Sequence, residues 1–340
     1  MGHPTAPHPT ALAAGHPATM LGLGAYRPRR TVTNDEVCEY LEVDADWVHA
    51  RSGIRARRFA EPDETVVAMA SAAARDALAA AGVGAGDVAA TLVATMSSDT
   101  ACPQVATRVA HEIGAVHGPA MDLGAACAGF CYALELAGAM VGAGHGVVLV
   151  VGVERMTDIV DRTDRSTAFL FGDGAGAAVV GSAATPGIGP VAWGADGGQA
   201  ELIVQSPSFI EHARGVDDRM PALRMQGPAV FRWATTVMPP LAQQALDQAG
   251  MKAEQLDAFV PHQANARITD GLVRALGLPE HVAVARDVET TGNTSAASVP
   301  LAMHALLESG GARPGDHALL LGFGAGLTFA SQVVSLPPSS

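Results

Sequence analysis

The sequence predicts an α/β chain built as two similar halves. Three observations carry this. Apolar runs of strand length alternate with Ala-rich stretches of helix length over the 340 residues, the pattern of strand–helix units around a mainly parallel sheet. Landmarks recur along the chain: Gly82 and Gly250, Cys127 and Asn293, and Gly152 and Gly322 stand 168, 166 and 170 residues apart. Hydrophobic residues make up 49% and charged residues 16%, enough apolar material for a large core and too little charge for disorder. Aromatics are only 4%, so Ala, Val and Leu must do the packing.

In chain order, residues 1–18 read as a flexible extension rich in His, Pro, Thr and Ala. His3, His8 and His16 there fit a solvated tail better than a metal site. The first half covers 19–185 and the second 186–340. A strand begins near Met20 and turns at Tyr26-Arg27-Pro28. Asn34-Asp35-Glu36 reads as the cap and first turn of a helix to Leu41. Over 47–58, Arg51, Arg55, Arg57 and Arg58 cluster, either a candidate anion site or a solvated charged face. Glu61-Pro62-Asp63-Glu64 opens an Ala-rich helix that ends at Gly82.

A buried strand covers 91–96. Another ends near Leu123, small residues turn the chain, and an apolar helix runs through Tyr132, Leu134 and Leu136. A continuous apolar strand covers 146–154. Phe171-Gly172-Asp173-Gly174-Ala175-Gly176 resembles a phosphate loop only loosely and lacks the terminal Lys-Ser/Thr, so it reads as a strand-edge turn. The second half repeats the plan. Residues 249–260 parallel 81–93, residues 316–322 parallel 146–152, and Thr291-Gly292-Asn293-Thr294-Ser295 takes the place of the Cys127 turn. If the halves pack as a pseudo-dimer, Cys127 and Asn293 face one pocket at the carboxyl ends of strands.

The net charge of −13 argues against non-specific nucleic-acid binding, which needs a basic face. Of the cysteines Cys38, Cys102, Cys127 and Cys131, none forms a C-x-x-C pair or is followed by His at zinc-finger spacing. A reduced, cytoplasmic chain without metal is the simplest reading. No gap-free apolar run has membrane-spanning length, and residues 1–18 lack the basic start and apolar segment of a signal peptide.

Cys127 falls at the start of the apolar helix, where unpaired N–H groups and the helix dipole favour a thiolate. The bland alternative is an inert buried cysteine. His262 follows the apolar strand over 256–260, in the layer assigned to Cys127 and Asn293. Two chemistries fit this set. In a cysteine hydrolase, Asn orients His and His activates Cys. In a Claisen-type acyltransferase, Cys holds an acyl group while His and Asn donate hydrogen bonds to a thioester oxygen.

Five segments together resemble β-ketoacyl-ACP synthase III. They are Ala125-Ala126-Cys127-Ala128-Gly129-Phe130, the 171–176 run, Pro261-His262-Gln263-Ala264-Asn265, Gly292-Asn293-Thr294-Ser295-Ala296-Ala297-Ser298 and Gly322-Phe323-Gly324-Ala325-Gly326. Residues 47–58 fit the same family's W-x-x-x-R-[ST]-G-I-R-x-R-R pattern, and the motifs span almost the whole chain, from Gly22 to Ala330. The resemblance implies a thiolase-like fold, two α/β halves in five αβαβα layers, in a homodimer. It implies Cys127 as the acyl-accepting nucleophile, with His262 and Asn293 on the malonyl thioester carbonyl. The oxyanion hole would come from the backbone N–H of Cys127 and Ala325. Trp47, Arg51 and Arg165 match coenzyme A contacts, Trp47 and Arg165 by flanking the adenine, and Asn265 matches a position near the pantetheine. Arg232, Arg267 and Arg274 match basic positions that dock acidic acyl carrier protein (ACP). No resident cofactor or metal is implied.

Two positions depart from the family pattern. Pro228 replaces a polar side chain near the pantetheine. Cys102 stands where some members carry a bulky Phe that reaches across the dimer to the acyl pocket. The expected reaction joins a short-chain acyl-CoA to malonyl-ACP by decarboxylative Claisen condensation, priming fatty acid or polyketide synthesis. The alternatives are a same-fold enzyme that forms an ester, a cysteine thioesterase or amidase, and a noncatalytic scaffold. The hydrolase reading lacks a G-x-C-x-G elbow, since Ala125 replaces the first glycine. The intact Cys–His–Asn set argues against a scaffold.

Overall fold

The computed structural model describes residues 15–339. One sheet orders its strands Ala18–Tyr26, Asp173–Ser182, Val147–Arg155, Val88–Ala94 and Ala120–Leu123. The first two pairings are antiparallel and the last two parallel. The second sheet runs Ala192–Ala195, Thr328–Ser335, His317–Gly324, Ala258–Pro261 and Ala283–Val284, with the same succession of two antiparallel and two parallel pairings. The repeat suspected from glycine spacing therefore extends to strand order and direction.

The apolar helices Gly129–Gly142 and Ser298–Glu308 lie between the sheets and touch strands of both. The helices Val66–Ala81 and Val105–Ile113 cover the outer face of the first sheet, and Gly227–Ala249 with Ala266–Leu276 covers that of the second. The result is five layers, αβαβα. The central core draws Phe130, Leu134, Val150, Val299, Met303, Leu320 and Val334 from both sheets and both middle helices. Helices buried on every side must be apolar all round, which accounts for the Ala- and Leu-rich stretches.

Several boundaries shift for local reasons. The first strand begins at Ala18, and the His16 N–H donates to the Gly142 carbonyl at 3.2 Å, so the extension gives way to structure sooner than expected. His3 and His8 lie outside the described residues. Thr33, one residue ahead of Asn34, caps the helix Asn34–Leu41 through a capping box with Glu36. Thr65 caps the helix Val66–Ala81. Glu64 instead turns inward and accepts from Tyr26 Oη at 2.7 Å and the Glu61 N–H at 2.7 Å. Residues 91–96 belong to the strand Val88–Ala94 and the turn after it.

Candidate active site

Cys127 is the middle residue of a 3-10 turn, Ala126–Ala128, that leads into the helix Gly129–Gly142. The strand His317–Gly324 closes against this turn. A Cβ on Gly324 would stand 2.8 Å from the Cys127 nitrogen and from its Cβ, so only glycine permits the approach. Ala126 has φ +45°, and its counterpart Ser295 has φ +47° at the head of the 3-10 turn Ser295–Ala297, before the helix Ser298–Glu308. Left-handed backbone at a residue with a Cβ costs roughly 1 kcal/mol, and both turns bear it. Ala126 and Ser295, like Gly129 and Ser298, are 169 residues apart. The repeat therefore pairs Cys127 with Ala296, not with Asn293. Asn293 lies on the approach to the second turn rather than within it.

His262 directly follows the strand Ala258–Pro261, and its N–H donates to the Leu321 carbonyl at 2.7 Å. The Asn293 backbone is clamped to the segment before Asp173–Ser182: its N–H donates to Leu170 O at 2.8 Å, and its carbonyl accepts from the Gly172 N–H at 3.0 Å. The glycine-rich run at 171–176 is thus a strand start that grips the Asn293 turn. Cys127, His262 and Asn293 line one narrow cavity, partly open to solvent. Its walls are apolar, with Met96, Met156, Phe171, Leu223, Met225 and Trp233 among them. A wider surface groove beside His16, Glu135 and His317 shares no residue with it.

The hydrogen bonds assign donors and acceptors. The Gln263 N–H donates to Ser298 Oγ at 3.4 Å, and Ser298 Oγ lies 2.6 Å from His262 Nδ1. Among the described residues the Ser298 hydroxyl has no other acceptor for its proton, so the tautomer that satisfies it takes that proton at Nδ1 and carries the ring proton on Nε2. Burial holds the ring neutral, with its pKa lowered to about 3. The Ser295 N–H donates to Asn293 Oδ1 at 2.9 Å, so the Asn293 Nδ2 group is left as donor. Two neutral donors thus line the cavity beside the sulfur. Hydroxyl and amide groups nearby orient them, and His262 and Asn293 do not hold each other, as the hydrolase reading requires.

The expected resting thiolate is not what the surroundings favour. Cys127 keeps partial exposure through the cavity, yet burial pushes its thiol up to about 12. The hydrogen bond to Ser295 acts against that rise, and the buried Glu154 carboxylate adds to it. Burial outweighs the hydrogen bonds from Ser295 and the backbone, so the cysteine rests as a thiol. Cys131 is fully buried beneath Gly322, with its thiol also pushed to about 12.

The outlying residues divide into those free to bind and those already committed. Arg51 stacks on the Trp47 ring at 4.5 Å, and Trp47 packs edge-on against Phe169 at 5.2 Å. Arg165 donates to the carbonyls of Leu41 and Glu42, at 2.8 and 2.9 Å, beside the same rim. Asn265 spends both ends of its amide, donating to Arg51 O at 3.0 Å and accepting from the Arg267 N–H at 2.9 Å as a helix cap. The arginine cluster is not one anion site. Arg57 is fully buried and donates to Asn34 Oδ1 and Phe169 O, each at 2.9 Å, while Arg55 pairs with Glu289 at 3.6 Å.

Arg232, Arg267 and Arg274 are exposed on two packed outer helices. None of the three has a carboxylate partner among the described residues. Pro228 occupies the first turn of the helix Gly227–Ala249, where its missing N–H costs nothing. Cys102 is exposed and lies outside the cavity lining of its own chain. Ser295 and Ser298 were hidden in plain view, two and five residues after Asn293. Glu154 and Trp233 carried no local signal.

Comparison with known proteins fits this arrangement. The family profiles for 3-oxoacyl-[acyl-carrier-protein] synthase III and for its C-terminal region match residues 121–197 and 246–336. The chain is 51% identical over 327 residues to "Beta-ketoacyl-[acyl-carrier-protein] synthase III" of Streptomyces glaucescens, covering 96% of this chain and 98% of that relative. The chain belongs to the β-ketoacyl-ACP synthase III family. A mycobacterial β-ketoacyl-ACP synthase III from Mycobacterium marinum is 47% identical, covering 94% of this chain and 96% of its own. Among solved structures, the priming β-ketosynthase of the R1128 polyketide pathway superposes with TM-score 0.94 at 49% identity, covering 96% of this chain and 98% of that one. The β-ketoacyl-ACP synthase III from Aquifex aeolicus superposes with TM-score 0.87 at 33% identity, covering 94% of this chain and 99% of that one. The five layers are accordingly those of a thiolase-like condensing enzyme, an acyltransferase. Among the described residues, no helix is long and apolar enough to cross a membrane.

Proposed function

We propose that this β-ketoacyl-ACP synthase III takes a short-chain acyl group from acyl-CoA onto Cys127 and condenses it with malonyl-ACP, releasing CoA and carbon dioxide. The observation that carries this reading is the pair of neutral donors, His262 Nε2–H and Asn293 Nδ2, beside the Cys127 sulfur. An enolate needs such donors, fixed before charge develops; loss of one typically costs about 100- to 1,000-fold in rate. The malonyl thioester oxygen accepts from both as the carboxylate leaves as carbon dioxide. The enolate carbon then attacks the acyl-Cys127 carbonyl. The backbone N–H groups of Cys127 and Ala325 receive the oxyanion, and collapse releases β-ketoacyl-ACP and the Cys127 thiolate, which takes up a proton from solvent to restore the thiol.

In this reading Trp47, Arg51 and Arg165 hold the nucleotide end of CoA, and Asn265 shapes the pantetheine channel from behind. Arg232, Arg267 and Arg274 dock the acidic carrier protein. Residues 19–185 and 186–340 act as the two thiolase-like halves of each subunit of a cytoplasmic homodimer. The apolar walls of the cavity support a starter larger than acetyl. The test mixes enzyme, a panel of acyl-CoA starters and malonyl-ACP, and follows acyl-Cys127 and β-ketoacyl-ACP by mass spectrometry. A stable adduct on Cys127 that converts to β-ketoacyl-ACP is expected. Rapid release of free acid without condensation would overturn the reading in favour of a hydrolase.

A further inference from the structure

Glu154 is fully buried near the end of the strand Val147–Arg155, and no step above uses it. Its Oε2 accepts from Ser97 Oγ at 2.6 Å, the Met96 N–H at 3.1 Å and Thr95 Oγ1 at 3.2 Å. Its Oε1 accepts from Ser295 Oγ at 3.0 Å, and Ser295 Oγ in turn lies 3.4 Å from Cys127 Sγ. A serine hydroxyl has one proton to give and lone pairs to receive another. Turned towards Glu154, it accepts from the Cys127 S–H, and the chain runs one way from sulfur to carboxylate. Three donors already hold Oε2, so a proton reaching the carboxyl settles on Oε1, facing Ser295.

We propose that Ser295 and Glu154 form the proton path for acylation of Cys127, with Ser295 exchanging the proton with the sulfur and Glu154 holding it through Ser295. This deepens the reading of Cys127 as acyl acceptor and rests on it. As the sulfur bonds to the acyl-CoA carbonyl carbon, its proton passes to Ser295 Oγ, and the hydroxyl's own proton passes to Glu154 Oε1. Collapse of the tetrahedral adduct breaks the bond to the CoA sulfur. The proton then returns through Ser295 to that departing sulfur. One thiol proton has moved from Cys127 to CoA, and Glu154 ends as it began.

Two observations favour this path over His262 as the acceptor. His262 Nδ1 receives the Ser298 proton and Nε2 carries the ring's own, so the ring has no lone pair to offer. Glu154, raised by burial to about 7, has a proton affinity suited to a transient acceptor near neutral pH. The groups that face it are hydroxyls and amides: Thr95, Met96 and Ser97 after the strand Val88–Ala94, and Ser295 and Ala296 from the opposite half. Cys127 is the titratable group that feels its charge. Arg155, next in the chain, turns instead to Asp158 at 3.3 Å.

The test measures acyl-Cys127 formation from butyryl-CoA by rapid-quench mass spectrometry between pH 5.5 and 9. The wild-type loading rate should rise with pH through an inflection near 7. Glu154→Gln and Ser295→Ala should load about 100-fold more slowly at pH 7 and lose that inflection, and Glu154→Asp should restore part of both. A merely structural carboxylate would leave the inflection in place, so variants that are slower but keep it overturn the path, as do variants with the wild-type rate. Ser295→Ala carries the test if Glu154→Gln does not fold. Alkylation of Cys127 by iodoacetamide needs no acyl transfer and separates the two claims. A wild type that forms no acyl adduct sinks the acyl-acceptor reading. One alkylation profile shared by all variants sinks the proton path.

Discussion

Ser298 Oγ stands 2.6 Å from the His262 ring and 3.4 Å from the Gln263 N–H, and the direction of its proton fixes which ring nitrogen donates. Removing that hydroxyl frees the tautomer. Ser298→Ala should therefore slow carbon dioxide release from malonyl-ACP about tenfold or more, with a smaller effect on acyl loading. His262→Ala and Asn293→Ala should lose about 100- to 1,000-fold in the same release assay yet still form acyl-enzyme. Equal collapse of loading and release in both variants would refute the division of labour. Cys127→Ala should load nothing, and an adduct that persisted on Cys38, Cys102 or Cys131 would reassign the nucleophile. The pH dependence has a definite sign. His262 titrates near 3 in the folded chain and near 6.5 unfolded, so its contribution to stability is complete above about 6.5 and declines as pH falls towards 3. Glu154 works oppositely: raised from 4.5 to about 7, it favours the folded chain as pH falls through that window. Urea midpoints for Glu154→Gln should accordingly fall more steeply between pH 7 and 5 than those of the wild type.

The helices Gly227–Ala249 and Ala266–Leu276 pack together and present Arg232, Arg267 and Arg274 to solvent, with Arg267 over the Phe231 ring at 5.7 Å. Reversing all three to Glu should raise KM for malonyl-ACP severalfold at low salt and leave loading from acyl-CoA intact. The defect should shrink once salt shortens the screening length below about 10 Å; an unchanged KM would remove the patch. At the end of the strand His317–Gly324, Gly324→Ala should slow loading and cost roughly 1–3 kcal/mol by overpacking, measurable as a lower Tm. Elements with strong local patterns were legible in the sequence: the strands around Val147–Arg155, the Ala-rich helix, and the strand-end positions of Cys127 and His262; Asn293, expected at a strand end, instead follows the short helix Val288–Thr291. The long helix Gly227–Ala249 was not, because Pro239 and Pro240 stand inside it and proline is a local breaking signal. The burial of Arg57 and the Glu154–Ser295–Cys127 chain were illegible for another reason. They join residues 141 and 168 positions apart, or bury a guanidinium on backbone carbonyls from distant segments, and no window along the chain contains both partners.

At the scale of the molecule, Cys102 is exposed and lies outside the cavity lining, so in the homodimer proposed above it would act on the starter from a second copy of the chain. The edge strand Ala120–Leu123, with Met121 41% exposed, and Val116 nearby at 58% offer apolar surface for such a contact. If Cys102 leaves room where others place an aromatic ring, each further methylene buried is worth about 0.8 kcal/mol. The value of kcat/KM for butyryl- or isobutyryl-CoA should then equal or exceed that for acetyl-CoA, and Cys102→Phe should return the preference to acetyl. A strong wild-type preference for acetyl-CoA would count against it, as would an unaltered starter profile in the variant. Within one chain, the halves meet where Gly152 of the first sheet abuts Ala296 and Ala297, and Gly322 of the second abuts Ala128 and Cys131. A Cβ at Gly152 would stand 2.3 Å from the Ala296 carbonyl oxygen and does not fit, and one at Gly322 would stand 3.0 Å from Cys131 Sγ, so that the neighbours there must give way. Each sheet therefore serves as the mould for the other half's reactive turn, and neither half has a finished surface to show alone. Residues at the rim can drift singly, but a residue with a side chain at Gly152 demands a retreat in the turn at 296. A larger residue on one side of the seam is tolerated only with a matching retreat on the other, so the fit of each half is set by its neighbour.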